Sequence, residues 1–118
     1  LKGVMSVEDA KRAIDIGASA IMLSNHGGRQ LDGSRAPFDQ LEKIVDAVGG
    51  KIEIIVDGGV RRGTHVLKAL AAGADAVMCG SLLAGATEEH GCDNRSHLLF
   101  FAPCHTQCAL AGTHHKMP

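Results

Sequence analysis

The chain predicts an α/β fold of parallel strands joined by crossover helices. Short apolar runs alternate with longer stretches of helical periodicity through residues 1–91. Each apolar run stops at a polar, glycine-rich loop, so these loops fall at the C-terminal ends of strands. The runs are nearly free of polar residues, as expected of parallel strands covered on both faces. Such winding gives either a closed barrel or an open doubly wound sheet, and both carry their chemistry at those loops.

Leu1–Val4 reads as the end of a first strand. Ser6 is a good helix N-cap, with Asp9 three residues on as a capping partner. Val7, Ala10, Ala13 and Ile14 follow helical spacing, and Gly17 is a natural stop. Ala20–Leu23 is the second strand. Pro37 or Phe38 opens a second helix whose inward stripe is Phe38, Leu41, Ile44, Val45 and Val48; Gly49-Gly50 ends it. The β-branched run Ile52–Val56 is the third strand. Thr64–Ala72 is a third helix, with Val66, Leu67, Leu70 and Ala71 expected on its buried side and Gly73 as its stop. Ala76–Cys79 is the fourth strand, and Leu82–Glu89 reads as a final helix. No repeat is visible beyond the alternation of apolar strand and glycine loop.

At 118 residues the chain can hold one small domain, and a closed eight-stranded barrel needs about 200 or more. Hydrophobic residues make up 45% and aromatics only 3%, so the core must be aliphatic. A net charge of −1 offers no electrostatic case for nucleic acid or a membrane surface. No apolar run is long enough to span a bilayer, and Lys2 leads directly into an acidic helix rather than a signal sequence. Cys79, Cys92, Cys104 and Cys108 are expected as reduced thiols, which places the protein in the cytoplasm.

Ser24-Asn25-His26-Gly27-Gly28-Arg29-Gln30-Leu31-Asp32-Gly33, after the second strand, combines a group able to move a proton with one able to grip a carboxylate. Asp32 either pairs with His26 or serves the following turn. The third strand stops at Asp57-Gly58-Gly59-Val60-Arg61-Arg62-Gly63, where backbone amides before a helix and two arginines suit an anion. Gly80-Ser81 forms a second short loop at the next strand end. Two such loops used together are a common phosphate grip in barrels; the plainer alternative is a pair of tight turns with surface arginines.

The nine residues Ser24–Asp32 closely resemble the signature of the FMN-dependent α-hydroxy-acid oxidising enzymes, the glycolate oxidase, L-lactate dehydrogenase and mandelate dehydrogenase group. The resemblance runs from Leu1 to about Ser81. It implies the C-terminal units of a TIM (β/α)8 barrel, incomplete in this chain, with FMN as cofactor and a small 2-hydroxy acid as substrate. It implies that Lys2 lies beside the flavin pyrimidine edge, that Ser24 touches the flavin, and that Asp57 meets the ribityl chain. Gly59, Arg61 and Gly80 match phosphate contacts, and Gly58 and Ser81 are grouped with them. His26 matches the active-site base and Arg29 the carboxylate-binding residue. The implied reaction gives a 2-oxo acid, His26 taking a proton from the α-carbon or from the hydroxyl as hydride leaves.

Two features depart from that pattern. Ser81 stands where the family usually has an arginine, and Gly80–Glu89 also resembles the loop of inosine monophosphate dehydrogenase and guanosine monophosphate reductase. A purine-nucleotide barrel is therefore the alternative, and a non-catalytic half-barrel a further one. Residues 92–118 resemble neither family and read as an irregular tail. The spacing of Cys104, Cys108 and His114 fits no standard zinc finger, so no metal site is expected. Leu98–Phe101 is an apolar cluster that either covers exposed core or promotes association. The expected partners are a missing N-terminal barrel half or further copies of the chain.

Overall fold

The structure, a computed structural model, describes residues 1–80 and 98–101, the last four as backbone only. Four strands pair in parallel in chain order: β1 (Lys2–Val4), β2 (Ala20–Leu23), β3 (Glu53–Asp57) and β4 (Ala76–Cys79). Helices α1 (Val7–Asp15), α2 (Pro37–Val48) and α3 (Gly63–Ala71) make the crossovers. Right-handed crossovers between strands taken in order put every helix on one side of the sheet. A doubly wound sheet reverses its strand order to cover both faces. The observed order has no reversal among these strands, so this is a segment of barrel wall.

The burial pattern follows from that winding. Ile21, Leu23, Ile54, Val56, Val77 and Cys79 pack with Ala10, Ala13, Leu41, Ile44, Val48 and Ala69 in one buried cluster. Ala20, Met22, Ile55 and Met78 alternate with these strand residues and are half-buried. The expectation that both faces are covered holds for one only, because all the helices lie on the same side. Burial also pushes the Cys79 thiol up from its ordinary value.

Helix ends obey local chemistry. Ser6 accepts a hydrogen bond from the Asp9 amide at 3.1 Å, and its hydroxyl donates to Asp9 Oδ2 at 2.9 Å. α1 and α3 end in the same Schellman turn. The Gly17 and Ala18 amides donate to the Ile14 and Ala13 carbonyls, as those of Gly73 and Ala74 do to Leu70 and Ala69. Gly17-Ala18-Ser19-Ala20-Ile21-Met22 and Gly73-Ala74-Asp75-Ala76-Val77-Met78 are thus one device used twice, a repeat that the strand-and-loop alternation concealed. At Gly73 a side chain is excluded twice over: φ is +100°, and a Cβ would lie 2.8 Å from Val45 Cγ1.

Three side-chain placements differ from expectation. Phe38, Leu67 and Ala71 are exposed, and the inward side of α3 is Ala69 flanked by half-buried Val66 and Leu70. Apolar residues occupy so much of α3 that spacing alone does not set its phase; the small Ala69 allows close approach to the sheet. A fifth strand, β5 (Leu98–Phe101), pairs antiparallel with β4, so the expected irregular tail is ordered at these four positions. The apolar run satisfies the open edge of β4, whose amides and carbonyls would otherwise face water. The expected helix over 82–89 and Cys92, Cys104, Cys108 and His114 lie outside the described residues. No helix among the described residues is long and apolar enough to cross a membrane.

Leu41 is fully buried and Leu67 is 67% exposed. Leu41→Ala is expected to cost about 2–5 kcal/mol in urea denaturation, and Leu67→Ala to stay within about 0.5 kcal/mol. Equal losses would contradict the observed phase of the helices.

Candidate functional site

The placement of Lys2 starts from a fault in β1. Lys2 pairs with Met22 and Val4 with Leu23, so two steps along β1 match one step along β2. The extra residue is Gly3, at φ +91°. Without this bulge, alternation would put Lys2 and Val4 on the same face. With it, Val4 joins the buried core while the Lys2 side chain stays half-exposed and reaches Asp57.

Lys2 Nζ sits 2.9 Å from Asp57 Oδ2 at the end of β3. Ser24, which follows β2 and is 3% exposed, donates its hydroxyl to the same oxygen at 2.8 Å. The Ser24 Oγ in turn accepts the His26 amide at 3.3 Å. One carboxylate oxygen therefore ties together three neighbouring strands.

His26 is the one residue other than glycine with positive φ among the described residues, at 55°. That conformation costs an L-residue about 1–2 kcal/mol. It is held by the Ser24 contact and by Asn25, whose side chain accepts the Gly27 amide at 3.0 Å and donates to the Arg35 carbonyl at 3.2 Å. The strain sets the imidazole against β1: a Cβ built on Gly3 would lie 2.9 Å from His26 Nε2. Gly3 is thus part of the site, and sequence reading missed it. The clue was a glycine directly after Lys2, inside a strand.

Arg29 is exposed, and its Nε donates to the His26 carbonyl at 3.3 Å, which keeps the guanidinium on the same loop. Asp32 Oδ1 accepts the Gly33 amide at 3.0 Å, so the carboxylate serves the turn, the second of its two expected roles. Asp57, Gly58, Gly59, Val60, Arg61, Met78 and Gly80 line an open pocket of about 340 Å³ between the ends of β3 and β4. Its amides and arginine make a cradle of the kind that takes a phosphate. Ser81 lies outside the described residues. Lys2, Ser24, His26 and Asp57 form one connected group, which meets the pocket at Asp57.

A protein-family profile described as FMN-dependent dehydrogenase matches residues 1–118. The chain is 59% identical over 80 residues to an L-lactate oxidase of Nostoc sp., covering 68% of this chain and 22% of that protein. It is 52% identical over 99 residues to a 4-hydroxymandelate oxidase of Amycolatopsis orientalis, covering 84% of this chain and 28% of that protein. A mandelate oxidase variant solved with a monooxide FMN adduct superposes with a TM-score of 0.64 at 58% identity, over 65% of this chain and 24% of that one. The chain thus spans between a fifth and three tenths of the length of these relatives. The profile match favours the flavin enzymes over the purine-nucleotide barrels.

Gly17 has φ +78° with open space where a Cβ would go, so Gly17→Ala measures backbone strain alone. That change is expected to cost about 1 kcal/mol in urea denaturation. Gly3→Ala is expected to cost at least about 1 kcal/mol more and to shift the His26 ring nitrogen resonances, because the imidazole must move. Equal costs with unmoved resonances would show that the imidazole does not rest on Gly3.

Proposed function

The chain belongs to the FMN-dependent dehydrogenase family, and from that premise we propose that it carries the flavin- and substrate-gripping part of an enzyme oxidising a small 2-hydroxy acid to the 2-oxo acid. The observation that carries this reading is the junction of Lys2, Ser24 and Asp57 across three strands, with His26 standing over Gly3 beside it.

The residues present fit FMN. The pocket of about 340 Å³ offers the backbone of Gly58, Gly59 and Gly80, with Arg61, for the phosphate. Asp57 at the pocket edge accepts hydrogen bonds and suits the ribityl hydroxyls; Ser24 lies behind it. Lys2 supplies a fixed positive charge for the ring system. When bound, FMN is the group that receives the two electrons of the oxidation.

The remaining roles belong to this chain's own side chains. Arg29 takes the substrate carboxylate: Nε is anchored on the His26 carbonyl, and its terminal amino groups carry no partner among the described residues. His26 Nε2 takes the proton, from the α-carbon or from the hydroxyl. Because Arg29 Nε donates to the backbone carbonyl of His26, the carboxylate grip and the base stand on one turn of the same loop, which helps orient the reacting carbon.

Two of the relatives are named for L-lactate and 4-hydroxymandelate, which supports a small 2-hydroxy acid as the substrate class, its side chain selected by other parts of the barrel. Half-buried Met22, Ile55 and Met78 on the face away from the helices support the view that further barrel units pack there. On this reading the chain alone has no turnover.

FMN fluorescence quenching and anaerobic flavin bleaching test the proposal. The chain alone is expected to quench FMN without bleaching on addition of L-lactate or glycolate. Joined to the N-terminal barrel units of the Nostoc relative, it is expected to bleach with one of these acids. In that chimera His26→Gln should slow bleaching by about 10²–10⁴-fold with FMN binding retained. Failure to quench FMN, or bleaching that ignores His26→Gln, would overturn it.

A further inference from the structure

Arg61 lies on a loop that has little of its own to hold it. Gly58 and Gly59 precede it, and α3 begins without a side-chain cap, its N-cap position being Arg62. Yet the Arg61 amide has a partner: it donates to His65 Nδ1 at 3.4 Å. The His65 amide donates to the Arg62 carbonyl at 2.9 Å, so the same residue grips the loop through both backbone and side chain. In a capping box the third helical residue reaches back to the N-cap amide. Here His65, at that third position, reaches one residue further.

The surroundings give this contact a direction. His65 is half-buried and lines a second cavity of about 280 Å³ with Phe38, Val60, Lys68 and Ala69. Gly58, Gly59 and Val60 line both this cavity and the pocket that Arg61 lines. The loop is therefore a thin partition with open space on both sides. Among the described residues, the contact with His65 is the one hydrogen bond that holds the Arg61 amide beside the anion pocket.

We infer that His65 is a positioning residue for the anion-binding loop: its imidazole Nδ1, acting as an acceptor, holds the Arg61 backbone in place. The role requires a neutral ring protonated at Nε2, since an imidazolium has no acceptor. It also singles out one ring nitrogen. Asparagine carries an oxygen close to where Nδ1 lies, whereas the polar atoms of glutamine reach toward Nε2.

The effect on flavin binding rests on the reading given under Proposed function; the effect on the Arg61 amide does not. Amide hydrogen exchange of the full chain and FMN titration by fluorescence separate the two. His65→Ala is expected to speed Arg61 exchange by about five-fold and to weaken FMN by a similar factor, the loss of one ordinary hydrogen bond. His65→Asn should restore both and His65→Gln neither. Unchanged Arg61 exchange in His65→Ala, or equal rescue by asparagine and glutamine, would overturn the inference. If the unaltered chain fails to bind FMN while the exchange pattern holds, the flavin reading falls and the tether stands.

Discussion

Asp57 Oδ2 accepts from Lys2 Nζ at 2.9 Å and from Ser24 Oγ at 2.8 Å, and the rest of the site is arranged around that oxygen. Lys2 opens β1, Ser24 follows β2 and Asp57 ends β3, so a single atom joins three strands. The Lys2 side chain is 47% exposed, so the ion pair adds little to stability. Its importance is geometric. An ammonium, a hydroxyl and a carboxylate are held in contact before any ligand arrives, and preorganised charge lowers the reorganisation a reaction must undergo.

Backbone irregularities do the aiming. The bulge at Gly3 separates the faces of Lys2 and Val4, sending one to the sheet end and the other to the core. The positive φ of His26 then brings the imidazole onto the surface that Gly3 leaves bare. Each is unfavourable alone. Together they leave Lys2 at Asp57 and the His26 imidazole against Gly3, an arrangement that strict alternation along β1 would not give.

Much of the fold was legible because local chemistry dictates it. β2 and β4 fall where the apolar runs put them; the Ser6 hydroxyl begins a helix, and Gly17 and Gly73 end helices through their freedom at positive φ. The candidate residues were legible as types: an imidazole, a guanidinium, carboxylates and glycine amides on loops at strand ends. What periodicity could not supply was phase and long-range pairing. α3 has apolar residues on too many sides for spacing to choose Ala69 over Leu67. The strand at Leu98–Phe101 exists through its pairing with β4, a partner far away in sequence.

The amino-acid order by itself determined that the chain alternates strand and helix, that polar glycine loops follow the strands, and which residue types those loops carry. These depend on side-chain period, capping and turn preference, all acting over a few residues. Only the tertiary structure decided that the sheet winds in one direction, that Lys2, Ser24 and Asp57 share one oxygen, and that Gly3 makes room for His26. Those contacts join residues more than twenty positions apart. Their geometry comes from strand register and a bulge, which no local preference encodes.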